Sequence, residues 1–336
     1  MRAPRKFPVA AVYDRRINLR TCVAWGKNNA TVIDRRYRRR EESGAAIMLS
    51  LWALFVLSAM IISWALNIDA RLGLSGNANR TLEAAAMACS GAEVAMHPAI
   101  VPGSPLLRGG FGGNRSYETR ITGEGGRLNL NWLVAGENPA RLEVLRKYLE
   151  VKGVDLNERD HMVDCLLDWV DPDNLVRLNG AEDEGDYKAP NKLLGRLEEV
   201  KRIMGWAEFT SNNDWDADLS LSSTGPVDMA WASRDVLLAL PGMTDGLVDQ
   251  FLTVRRGLDD LDGTEDDGVK SLAEVPVALG LSEEQFKQLA GLVGFGDPVL
   301  RVVSVGKSGD ATRTVRMVIR KAGNSIQLIP GTWKEL

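Results

Sequence analysis

Residues 45–66, AAIMLSLWALFVLSAMIISWAL, are 22 consecutive residues without a charge. At about 1.5 Å of rise per residue, a helix of that length covers roughly the 30 Å of bilayer hydrocarbon. A conventional secretory signal has a shorter apolar region followed by a small-residue cleavage site, so the run reads as a membrane span. Directly before it stands RRYRRREESG. The positive-inside rule keeps such a basic cluster cytoplasmic, so the chain after Asp69 is expected to face the periplasm, with the protein a single-pass component of a bacterial inner membrane.

The formal net charge of −4 hides an asymmetry. Residues 1–44 hold twelve Lys/Arg and four Asp/Glu, leaving 29 basic and 41 acidic residues for the remainder. A body that acidic is a poor partner for a phosphate backbone, whose non-specific affinity comes mainly from Lys and Arg displacing counterions, so no nucleic-acid partner is expected. Cys22, Cys89 and Cys165 show no CxxC or Cys/His spacing, which points away from zinc. Cys89 and Cys165 sit on helical, partly apolar stretches that favour two buried thiols over a disulfide. Only His97 and His161 are present, each read as a helix-end or surface residue, and no nucleophile–base pair or phosphate-cradling loop stands out. The chain is expected to be non-enzymatic, with no catalytic residue.

Beyond the apolar run, residues 67–96 mix polar and apolar positions at helical spacing, with Leu72, Leu82, Ala85, Ala86, Cys89 and Val94 available for one face before His97-Pro98 stops the helix. Short strands are predicted at 117–122 and 127–130, and again at 299–305, 314–320 and 326–329. Between the two groups, helical periodicity dominates at 140–151, 158–170, 194–204, 234–240, 247–255 and 282–292. A sheet split in sequence by a helical block suggests an inserted domain.

Six carboxylates, Asp168, Asp171, Asp173, Glu182, Asp183 and Asp186, fall in the Pro- and Gly-containing stretch DWVDPDNLVRLNGAEDEGDY at 168–187. Hard cations such as Ca²⁺ take six to eight oxygen ligands, and a folded-back acidic loop can supply them, although the DxDxDG run of an EF-hand is missing. On composition alone a solvated acidic loop remains the simpler reading. The runs DDLDGTEDDG at 259–268 and NDWDAD at 213–218 are also read as solvated. The segment 237–257, LLALPGMTDGLVDQFLTVRRG, has the form of a helix-hairpin-helix. Such hairpins bind DNA phosphates through backbone N–H groups at a helix start. Here Asp245 and Asp249 crowd that place and only Arg255 and Arg256 supply charge, which favours a packing unit.

The stretch from Trp169 through Asp171, Asp173, Gly180, Ala181, Glu182 and Tyr187 to Asn191 and Glu199 resembles the signature of the type II secretion K-type minor pseudopilins. The upstream GGRLNLNWL, Gly126 to Leu133, looks like the same family's G-[KR]-[LIV]-N-[LIV]-N element, and the resemblance extends over nearly everything after Gly44. Basic residues and a glycine directly before the apolar run also fit a prepilin-type signal, in which a prepilin peptidase cuts on the cytoplasmic side; a plain uncleaved anchor is the alternative. Gly44 and Ala45 are the processing pair, and the 44-residue leader is longer than is usual for prepilins. No Met lies between Met1 and Met48, so a later start would require a non-ATG codon. Most prepilin-like proteins carry a Glu at the fifth mature residue, where a carboxylate in hydrocarbon needs a partner. Here that residue is Leu49, a departure that points to the K type, with nothing above it.

The resemblance implies an α+β, pilin-like fold with a long N-terminal transmembrane helix, an antiparallel sheet and a large inserted all-helical domain. The expected divisions are a leader at 1–44, the transmembrane half of the first helix at 45–66, the first part of the head at 67–137, the insertion at 138–296 and the C-terminal strands at 297–336. It also implies a structural Ca²⁺ near the acidic loop, with ligand roles for Asp171, Asp173, Glu182 and Asp183 and with Asp168 and Asp186 in reserve. Trp169 and Tyr187 would pack and Gly180 would permit a turn. The function implied is a minor pseudopilin at the tip of the type II pseudopilus, initiating assembly and limiting length, methylated on Ala45. Its partners would be the I- and J-type minor pseudopilins, the major pseudopilin and the prepilin peptidase. The alternative is a membrane-anchored helix-hairpin-helix DNA receptor of the competence type.

Overall fold

The computed structural model describes residues 34–212 and 214–336. Residues 1–33, which include most of the expected leader and Cys22, lie outside the described residues. The chain divides into two units, Met1–Arg71 and Leu72–Leu336.

In the first unit, helix α1 (Asp34–Ala95) begins and carries the apolar run. Its stretch Gly44–Ile68 has a mean hydropathy of 2.5 and none of it is buried; among the described residues it is the one segment long and apolar enough to cross a membrane. Gly44, Ala45 and Leu49 are exposed within this helix. An uncovered apolar surface this long is stable in lipid and not in water.

In the second unit the last turns of α1 are followed by β1 (Arg108–Gly110) and β2 (Arg115–Gly123). The chain then passes through β3 (Leu128–Asn129), α2 (Leu130–Val134), α3 (Pro139–Val151), α4 (Leu156–Val170), a 3₁₀ turn at Leu197–Arg202, α5 (Trp206–Asn212) and α6 (Trp215–Asp218). After β4 (Leu219–Ser220) and β5 (Val227–Asp228) come α7 (Arg234–Leu238), α8 (Asp245–Arg255), α9 (Val275–Leu279), α10 (Glu283–Lys287) and β6 (Val293–Gly294). The chain returns as β7 (Val299–Ser308), β8 (Ala311–Ala322), β9 (Ser325–Leu328) and β10 (Lys334–Glu335). The main sheet runs β1-β2-β7-β8-β10 with β9 also on β8, and its pairs are antiparallel. Strands β2 and β7 pair along their length, from Arg115 opposite Ser308 to Gly123 opposite Leu300, although the whole insertion separates them in sequence.

The face of α1 that packs on this sheet is not the one the larger residues suggest. Ala84, Ala88, Ala92 and Ala95 are buried while Leu72 and Leu82 stay exposed. The reason lies in the strands. Along β7 the residues on one face are Val302, Ser304, Gly306 and Ser308, because side chains alternate. A Cβ added to Gly306 would collide with the backbone of Ala84 and Ala88, and one added to Gly91 would meet Ser304 and Thr119. The helix lies too close for leucine, and Ala, Gly and Ser are what the gap admits. Thr119 Oγ1 donates to Ser304 Oγ at 2.9 Å, and Ser308 Oγ donates to Glu83 Oε2 at 2.6 Å, so the polar atoms in this seam are paired. Ile121, Val302, Val315, Met317 and Ile319 complete the apolar core of the head.

The opposite sheet face meets the insertion through charge. Arg301 of β7 donates from Nε and Nη2 to Glu124 at 2.7 and 2.9 Å, and Arg316 of β8 donates to Asp216 of α6 at 2.7 Å. Glu124 is buried and also receives Arg127 and the Ser220 hydroxyl, so its charge is answered on several sides. The insertion has its own core, running from Leu128 through Tyr148, Leu166 and Trp206 to Phe251 and Leu289.

Several boundaries differ from the sequence expectation. The stretch 127–130 makes a two-residue strand and then turns into α2, because the Asn129 side chain accepts the Trp132 N–H and caps a helix. Residues Leu128 to Val134, placed with the head by sequence, pack in the core of the insertion. The predicted helix over 194–204 is only the 3₁₀ turn, with α5 starting afterwards, and the one over 282–292 is α10 followed by turns.

Gly306→Ala should destabilise the full-length protein by about 1–3 kcal/mol, because it overpacks a seam bounded by helix backbone. Gly246→Ala in α8, where a Cβ meets nothing within 4 Å, should be neutral or stabilising. Urea unfolding of the two variants beside the wild type measures both; equal midpoints would refute the close-approach account.

Candidate metal centre

Helix α4 is capped at its start by Asp155, whose side chain accepts the N–H groups of Asn157 and Glu158. It buries Met162, Cys165, Leu166 and Trp169 on one side. Asp168 lies in its last turn and Asp171 is its C-terminal cap. The spacing of three puts the two carboxylates on neighbouring positions of one face. Both stand at the negative end of the helix dipole, where a carboxylate is disfavoured unless a cation answers it. The following loop folds back and brings in Glu182, so that oxygens of Asp168, Asp171 and Glu182 all lie within 4.8 Å of one another.

Asp168 and Glu182 are buried and Asp171 is half-buried. The positive group beside them is Arg177, whose Nη1 donates to Asp168 Oδ1 at 2.5 Å and also bonds Asp171 Oδ2. Its Nη2 reaches Glu137 at 2.7 Å, and its backbone N–H donates to Asp168 Oδ2 at 3.2 Å. One guanidinium therefore faces three clustered carboxylates. Asp171 Oδ1 and Glu182 Oε1 are buried without a hydrogen-bond partner. Burial first, then the charges of Asp171 and Asp168, push the Glu182 carboxyl above its usual range. Orphaned, clustered carboxylate oxygens are the donors a hard divalent cation takes, so the residues present fit calcium.

Of the expected ligands, the structure brings Asp171 and Glu182 together and joins to them Asp168, held in reserve by sequence. Asp173 and Asp183 lie outside that group. Asp173 is exposed and its Oδ1 accepts the Leu175 N–H at 2.8 Å; Asp183 and Asp186 are exposed. Gly180 is needed for close approach, because a Cβ there would overlap Asp168 Oδ2. Asn191, with φ of 50°, ties the loop by donating to Asp173 O and Asn174 Oδ1 at 2.6 Å each. Trp169 and Tyr187 pack with ring centroids 5.9 Å apart. Upstream, Asn131 clamps the far end of the loop through both hydrogen bonds to the Leu194 backbone. Sequence reasoning passed over Arg177, although an arginine inside an acidic loop was a visible signal. It held Asp168 in reserve, although its three-residue spacing from Asp171 was also visible.

The run 259–268 is largely exposed, as expected, whereas 213–218 is partly buried. In 259–268, Asp266 and Asp267 accept backbone N–H groups of the same loop and Asp262 pairs with Arg255. In 213–218, Asp218 is buried, within 2.7 Å of Lys152 and of the Ser233 hydroxyl. In the hairpin, Arg255 is 1% exposed and donates to the Met229 and Ala232 carbonyls, so it has no reach to a phosphate. Cys89 and Cys165 are free thiols; burial, then Asp168 and Asp164, push Cys165 up to about 12.

A family model described as type II secretion system protein K matches residues 126–212, the stretch that holds the asparagine clamp and the carboxylate cluster. This stretch is similar to type II secretion system protein K. The type II secretion system protein K of Dickeya chrysanthemi is 30% identical over 69 residues, a match that covers 20% of this chain and 20% of that protein. A crystal structure of the GspK–GspI–GspJ complex from the enterotoxigenic Escherichia coli type 2 secretion system is similar in fold, with a TM-score of 0.54 and 12% identity. That match covers 78% of this chain and 97% of the solved one. The fold is therefore pilin-like with a helical insertion.

Glu182→Gln should raise the melting temperature in chelator. The sign follows from the raised carboxyl: ionised Glu182 opposes folding at neutral pH, and the amide removes that opposition. The same variant should lose the gain in melting temperature that calcium gives the wild type. Scanning calorimetry with and without calcium checks both; an unchanged calcium response would exclude Glu182 from the site.

Proposed function

We propose that the chain is a K-type minor pseudopilin of a type II secretion system, inserted in the inner membrane by residues 45–66 with its head in the periplasm. The observation that carries this reading is the protein K domain set in a pilin-like head on a chain whose first described helix bears a 25-residue lipid-compatible stretch. The leader is removed between Gly44 and Ala45 by a prepilin peptidase, and the new amino group of Ala45 is methylated. The head assembles with I- and J-type minor pseudopilins and through them with the major pseudopilin.

The position in the assembly follows from Leu49. An apolar fifth residue needs no amino-group partner within the membrane, which suits a subunit with nothing above it. At the tip, such a subunit initiates assembly and limits length. Ca²⁺ held by Asp168, Asp171 and Glu182 would be structural, tying Glu182 to the end of α4.

Intact mass and peptide sequencing of the membrane-extracted protein, from cells containing a prepilin peptidase, test the proposal. The expected mature chain begins at a methylated Ala45. An intact leader in the presence of active peptidase would reject the pseudopilin reading.

A further inference from the structure

We propose that Arg177 is a tethered cation that competes with a divalent metal ion for the carboxylates of Asp168 and Asp171, so that metal binding at the cluster releases the Leu175–Leu178 segment. The inference rests on the reading of the cluster as a calcium site. Its starting point is geometric: Nη1 of Arg177 bonds Asp168 Oδ1 and Asp171 Oδ2 at once, and both acceptors belong to the same 4.8 Å group that a metal would use. A guanidinium and a divalent ion drawn to the same oxygens repel each other strongly at that range, so the two states exclude one another. Arg177 leaves the third carboxylate unanswered, with Glu182 Oε1 buried and without a partner. A doubly charged ion can serve all three carboxylates, whereas the side chain serves two and spends its other nitrogen on Glu137.

The segment that carries Arg177 is built to move if that contact breaks. Leu175, Val176 and Leu178 are 75%, 59% and 97% exposed, so no apolar burial holds the middle of the loop. Its ends are fastened independently, by Asn191 to the backbone of Asp173 and by Asn179, which donates from both N–H and Nδ2 to Asp164. Between those anchors, the Arg177 side chain and its backbone N–H to Asp168 are the attachment to the cluster.

Calcium titration by calorimetry on the detergent-purified full chain, wild type beside Arg177→Gln, tests the competition. If Arg177 occupies the site about nine-tenths of the time, removing it should tighten calcium binding about tenfold, while the melting temperature in chelator falls. A wild type that binds calcium with an Arg177→Gln affinity equal or weaker would overturn the competition and leave the metal site standing. Absence of calcium binding in both proteins would overturn the site and the inference together. Trypsin supplies a test on the unmutated protein, since it cuts after Arg177: calcium should speed cleavage at Arg177–Leu178, and slowed or unchanged cleavage there would equally overturn the proposal.

Discussion

The head depends on how closely α1 approaches the sheet. Ala84 and Ala88 approach Gly306, and Gly91 approaches Ser304 and Thr119, so closely that neither glycine has room for a further carbon, while Ala92 and Ala95 are buried along the same helix. Close contact of this kind places many weak dispersion contacts along one seam, and it converts small residues, which bury little area each, into a specific fit. It also fixes which face of the sheet is taken. Arg301 and Arg316 must then emerge on the other face, where Glu124 and Asp216 receive them. The helix on one side and the insertion on the other follow from a single alternation of residues along β7 and β8.

Buried charge organises the insertion in two contrasting ways. Around Glu124, one carboxylate is met by two arginines and a serine hydroxyl, so the network closes on itself. Around Asp168, three carboxylates share one arginine, and two of their oxygens are left without partners. An incomplete network of this kind costs stability unless something from outside completes it. The first cluster is therefore a closed joint and the second an open one, even though both use the same residue types.

The long apolar helix, the split sheet and the helical insertion were legible in the sequence, because long apolar runs, alternation and helical spacing are local signals. The packing face of α1 was not. Hydrophobicity ranks Leu72 and Leu82 above alanine, and only the approach of β7 explains why alanine is buried instead. The acidic loop announced itself, but which of its carboxylates cluster did not. Asp173 is engaged by its own loop and Asp168 is reached by folding back the chain as far as Glu182. Asp218 was read as solvated because its neighbours are acidic; its partners Lys152 and Ser233 come from α3 and the start of α7, which no local pattern reveals.

The central proposal is that the cluster at the end of α4 takes a hard cation through Asp168, Asp171 and Glu182. Terbium luminescence tests it most directly, because Trp169 lies buried next to Asp168 in sequence and can pass its excitation to a lanthanide held by the same oxygens. On the full chain, tryptophan excitation should produce terbium emission that calcium displaces and that Asp168→Asn abolishes. Absence of emission, or emission indifferent to Asp168→Asn, would contradict the account.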